Sequence, residues 1–211
     1  MDLTVIQKIA IFALPVIFAI TVHEAAHGYA AKHFGDMTAF KAGRITLNPL
    51  KHIDLFGTII LPALTIMLGG VLFGWAKPVP VDFRRLNNPK KDMLWVAAAG
   101  PASNFAMAIF WALVMKFSVS APEAFALPML LMAKAGVTIN IVLMVLNLLP
   151  LPPLDGGRIA VSLLPMNLAR PFAQIERYGF IILIILLFSG VLSRILDPLI
   201  NLVYALISTI F

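Results

Sequence analysis

His23, Glu24 and His27, in the run Thr21-Val22-His23-Glu24-Ala25-Ala26-His27-Gly28, form an H-E-x-x-H pattern in an apolar stretch that begins at Val5. Residues four apart on a helix share a face, so both imidazoles can reach one metal ion while the glutamate stands beside them as a proton acceptor. A lone histidine on an apolar helix is ordinarily a satisfied core residue. Two histidines and a carboxylate at this spacing are different, because a charged group at membrane depth costs about 2.5–3.5 kcal/mol and must be compensated. The pattern predicts a zinc site with its own base, suited to hydrolysis by a metal-polarised water that gives its proton to Glu24.

Such a site needs a third protein ligand, with the fourth position left to water. The chain has no cysteine, so the ligand must be an imidazole or a carboxylate. His33 reproduces the outer spacing of the longer motif H-E-x-x-H-x-x-G-x-x-H, but the glycine that lets that motif turn is Ala30 here. Glu123 and Glu176 lie in connecting stretches with no motif around them, and His52 reads as a loop residue at the interface. Asp155 is the stronger candidate. It follows a long apolar run and sits in a turn rich in proline and glycine, where a solvated charge has no evident purpose.

The elements that must position these residues are membrane helices. Of 211 residues 61% are hydrophobic and 12% charged, and the mean hydropathy of +0.95 exceeds that of an ordinary soluble domain. The net charge of +6 is not gathered into a dense basic run, which argues against nucleic acid and for orientation in a lipid bilayer. The first apolar run, about Leu3 to Phe34, lacks the basic start and cleavage site of a secretory signal and is expected to persist. Pro15 should kink it and Gly35-Asp36 should end it. Met37 to Asp54 reads as non-helical. Leu55 to Phe73 is broken by Pro62 and Gly69-Gly70 and passes into extended chain up to Val81. Met93 to Phe117 is a clean span, Ser118 to Leu127 a connection, and the next span ends at Leu149. A short amphipathic piece, a span from Tyr178 to Leu192, and a last helix from Ile195 to Phe211, spanning or interfacial, complete the chain. With no internal repeat, residues 1–211 read as one integral-membrane domain. The expected fold is an all-α polytopic membrane protein: a core of three transmembrane helices carrying the zinc site, a re-entrant or β-like segment around 37–81, and one or two C-terminal helices.

Counting crossings constrains the segment before the second span. His27 ends one span and Asp155 follows another, so an even number of crossings must separate them. If Leu55 to Val81 crossed fully, Asp155 would face the wrong side. We therefore expect this segment to dip and return, with Pro62 and Gly69-Gly70 at its bend. That arrangement puts Lys32, Lys41, Arg44, Lys51, Lys77, Arg84, Arg85, Lys90, Lys91, Arg158, Arg170 and Arg177 on the active-site side. By the positive-inside rule, that side is cytoplasmic.

H-E-x-x-H in one span, paired with Asn147-Leu148-Leu149-Pro150-Leu151-Pro152-Pro153-Leu154-Asp155-Gly156-Gly157-Arg158 after a later one, resembles the site-2 protease family of intramembrane zinc metalloproteases. Gly100-Pro101-Ala102-Ser103-Asn104 is similar to the family's third common element. The resemblance implies one zinc per chain held by His23, His27 and Asp155, with Glu24 as catalytic base and Asn147 polarising the scissile carbonyl or steadying the oxyanion. It also implies transmembrane-segment proteins as substrates and a prokaryotic cell membrane as the setting. The chain has no insert large enough for a PDZ domain and no CBS domain, as in the family's compact subgroup. A substrate helix must unwind before its peptide bond can be attacked, since its own hydrogen bonds shield it. The stretch Gly69 to Val81, with Gly69 and Gly70, either holds it extended by β-augmentation or covers the site. Asn104 is expected to face the bundle interior, against substrate or another helix. A metal transporter should show further polar residues along several spans, and a structural zinc should have four protein ligands. Neither is evident.

Overall fold

The computed structural model describes residues 4–60 and 76–210. Helix α1 (Val5–His33) opens with a capping box, in which the Thr4 hydroxyl accepts from Gln7 N–H and the Gln7 side chain accepts from Thr4 N–H. It closes at Gly35, whose φ of +104° is the left-handed conformation that a helix end requires. There Gly35 N–H bonds Lys32 O and Asp36 N–H bonds Ala31 O. The predicted stop is where the chain turns.

After α1 come a one-turn helix α2 (Thr38–Lys41), a 3₁₀ turn at Pro49–Lys51, a π-type turn at Leu55–Ile60 and a 3₁₀ turn at Phe83–Arg85. The expectation of a non-helical 37–54 is corrected by α2, which forms where Asp36 accepts from Thr38 N–H and from the Thr38 hydroxyl. No strand occurs among the described residues, and residues 76–82 are neither helix nor strand. Gly69 and Gly70 lie outside the described residues. Pro62, at the expected bend of the segment 55–81, lies outside them too, but the chain on either side is described, and Lys77 N–H donates to His52 O at 3.0 Å. A chain crossing a bilayer about 30 Å thick between these residues could not close that hydrogen bond.

Helices α3 (Pro89–Ser118) and α4 (Glu123–Asn147) form the antiparallel pair at the centre. The connection between them is shorter than expected, because Pro122, which lacks an N–H to lose, precedes the first turn of α4 and lets the helix start at Glu123. The core holds Trp111 and small or branched residues around it, among them Ala108, Ala112, Ala133, Val137 and Ile141. Small side chains let membrane helices approach closely.

Helices α5 (Asp155–Leu163), α6 (Met166–Ala173), α7 (Glu176–Phe188) and α8 (Val191–Ile210) follow. α5 packs on α3, and α8 on α4. The helix in the span expected from Tyr178 to Leu192 is α7, whose 13 residues are fewer than the roughly 20 a crossing needs by itself, and Gly190, at φ +71°, separates it from α8. α1, α3, α4 and α8 are long and apolar enough to cross a membrane, and α6 with α7, bent by 62°, make a fifth span only when taken together. The protein is an integral membrane protein with the all-α polytopic fold expected.

Candidate metal centre

His23 and His27 lie one turn apart on α1, and Asp155 begins α5 after the proline turn that follows α4. His23 Nε2 and His27 Nε2 are 3.1 Å apart, and Asp155 Oδ2 is 3.2 Å from the first and 3.3 Å from the second. Bonds of about 2.0–2.1 Å in a tetrahedron set ligand atoms about 3.3 Å apart, so the three atoms have the spacing of one face of a zinc site.

The hydrogen bonds on the far side of each ring decide what those atoms offer. His27 Nδ1 is 2.7 Å from Val96 O, and a carbonyl only accepts, so the ring proton sits on Nδ1 and leaves Nε2 a bare lone pair. His23 Nδ1 is 2.6 Å from Asn104 Oδ1. Asn104 Nδ2 donates to Ala19 O at 3.2 Å, which turns Oδ1 towards the imidazole and likewise leaves His23 Nε2 without a proton. Asp155 Oδ2 is buried with no hydrogen-bond donor. With both rings neutral, three lone-pair atoms thus converge on one point, an arrangement that a cation satisfies. Gly100 makes room for the two rings. A Cβ there would lie 2.4 Å from His27 Nε2 and 2.6 Å from His23 Nε2.

Glu24 is oriented from outside the helix, its Oε2 accepting the Val79 N–H at 2.7 Å. The stretch around Val79 is itself held by backbone bonds. Buried Arg44 donates through one terminal nitrogen to Lys77 O at 2.8 Å and Pro78 O at 3.3 Å, and Asp82 N–H donates to the fully buried Asp36 carboxylate at 2.7 Å. At the outer end of this strap, hydrogen bonds from Arg84 hold the half-buried Asp82 carboxyl below its ordinary value.

Asn147, half-buried at the last turn of α4, donates from Nδ2 to Leu143 O at 3.0 Å. Asn104 is wholly buried, its amide directed to His23, Ala19 and Asn140. The rejected ligands are elsewhere: His33 is exposed, with its ring edge on Phe34, and Glu176 pairs with Arg158 at 3.1 Å. His52 is a loop residue as expected, yet buried, and its Nε2 donates to Thr46 O at 2.9 Å. Sequence reasoning missed Asn140, Arg44 and the Val79 amide. The first had a signal, a primary amide in a largely apolar span.

A family model described as "Peptidase family M50" matches residues 11–134 and 116–190. The "Putative zinc metalloprotease YwhC" of Bacillus subtilis is 41% identical over 192 residues, 89% of this chain and 84% of its own. The "Putative zinc metalloprotease Rip2" of Mycolicibacterium smegmatis is 31% identical over 183 residues, 84% of this chain and 66% of its own. Its namesake in Mycobacterium tuberculosis is 28% identical over 180 residues. No solved structure matches. With a spanning bundle, a histidine-histidine-aspartate cluster and these relatives together, the chain belongs to peptidase family M50, the site-2 proteases, and is a zinc metalloprotease of the membrane.

Proposed function

We propose that this protein is an intramembrane protease that hydrolyses peptide bonds within or near the transmembrane segments of other membrane proteins. One zinc per chain is held by His23, His27 and Asp155. The observation that carries this reading is the convergence of ligand atoms of His23, His27 and Asp155 at one end of a membrane-spanning bundle, beside the Glu24 carboxylate, which stands outside that group. The excess of Lys and Arg on the same side supports a cytoplasmic opening in a prokaryotic cell membrane.

Zinc, when bound, supplies Lewis acidity to the scissile carbonyl and lowers the pKa of water. Glu24 accepts the proton of the attacking water and delivers it to the departing amine, so the new carboxyl and amino ends are formed without net proton change. The Val79 N–H fixes Oε2 of Glu24, which leaves Oε1 for that transfer. Asn147 releases the Leu143 carbonyl and donates to the oxygen that becomes negative as the carbonyl is attacked. Asn104 acts on His23 rather than on the substrate.

Gly69 and Gly70 are assigned to substrate binding, and the described strap at residues 77–82 covers the site through the Val79–Glu24 bond. Pro78 and Pro80 have no N–H, and those of Lys77, Val79 and Asp82 are engaged. At most the Val81 N–H is left there to pair with an extended peptide.

Glu24→Gln tests the reading. It should abolish cleavage of a single-span substrate reconstituted in liposomes while zinc content stays near one per chain. Retained proteolysis would overturn the mechanism.

A further inference from the structure

Asn140 lies in the middle of α4 with no exposed surface. Its amide joins two helices in one sense only. Asn140 Nδ2 donates to Gly136 O at 2.8 Å, and because that carbonyl only accepts, Oδ1 must point the other way, where Asn104 Nδ2 donates to it at 3.0 Å. Asn104 also donates to Ala19 O, so both its N–H groups are spent and its Oδ1 faces His23 Nδ1 at 2.6 Å. The line runs from a carbonyl of α4 through two amides to an imidazole of α1.

We infer that Asn140 is a positioning residue for the metal centre. Acting through Asn104, it sets the ring orientation and tautomer of His23 and so presents the Nε2 lone pair. This rests on the reading of His23, His27 and Asp155 as a zinc site. A helix-packing role would also bury an amide here, but packing has no need of the ordered donor sense. Outer partners of a metal-bound histidine commonly change affinity by about 10- to 100-fold when removed. Asn140 stands one residue further out, and its effect must pass through Asn104 alone.

The test uses the full chain in detergent, titrated with zinc against a competing chelator, with the visible absorption of the cobalt-substituted protein as the second readout. Asn140→Leu should weaken zinc by about tenfold and alter the cobalt bands. Asn140→Asp, which keeps the acceptor facing Asn104, should stay nearer to wild type. Asn104→Ala with Asn140→Leu should lose no more affinity than Asn104→Ala alone. If Asn140→Leu does not fold, Asn140→Ser, whose short hydroxyl stays on its own helix, should show the same loss. Wild-type zinc affinity and cobalt bands in a folded Asn140 variant that melts lower would overturn the inference and leave a packing residue. Additive losses in the double variant would overturn the route through Asn104. A wild-type chain that takes up no zinc would fail the proposed function itself.

Discussion

The backbone N–H of Val79 donates to Oε2 of Glu24 at 2.7 Å, joining residues 55 positions apart in the chain. Because Pro78 and Pro80 flank it, Val79 carries the sole N–H of residues 78–80. Val79→Pro should therefore lower kcat/KM by about ten- to a hundredfold, the rate equivalent of a charged hydrogen bond of about 1.5–3 kcal/mol. Val79→Ala keeps the N–H and should cost little. Steady-state cleavage and zinc content of both variants check this, and equal losses in the two would assign Val79 to packing alone.

Gly100→Ala sets two effects against each other. An alanine in a helix interior ordinarily adds about 0.5–1 kcal/mol of stability over glycine, but here the methyl would enter the space between His23 and His27. Both rings must shift with or without metal, so zinc retention should fall and the metal-free protein should show none of that gain in stability. Elemental analysis and thermal unfolding in chelator separate the two.

Asp155→Ala and Asn147→Ala should part company. The first removes an atom 3.2–3.3 Å from both imidazoles and should release zinc. The second removes an amide that bonds only its own helix at Leu143, and should leave zinc in place while lowering kcat by about 10²–10³-fold, as loss of an oxyanion donor does. Zinc loss of the same size in both variants would remove the oxyanion role from Asn147.

Topology is testable by labelling, because the chain has no native cysteine. The bond between Lys77 N–H and His52 O puts the two ends of the segment between them at one level. Single cysteines at Thr46 and Asn87 should both react with an impermeant thiol reagent from the same face of the membrane. Reaction from opposite faces would contradict a re-entrant path.

The three residues of the candidate metal centre were legible because their signals are local or categorical. His23 and His27 are four apart on a helix, and Asp155 is a carboxylate in a turn at membrane depth, where a charge without a partner is too costly to keep. Gly35 was legible as a stop for the same kind of reason: a left-handed residue ends a helix whatever surrounds it. Tertiary structure alone decided which groups serve the ligands from behind. α3 and α4 are largely apolar and their few polar residues form no continuous stripe, so no amphipathic face marks which side meets α1. That Asn104 meets His23, that Asn140 orders Asn104, and that the Val96 carbonyl reaches His27 all depend on how the helices are rotated against one another. The burial of His52 and the reach of Val79 to Glu24 depend on where a long connection comes to rest. Periodicity along the chain carries no record of rotation between helices. It is set by how small and large side chains interlock across the bundle.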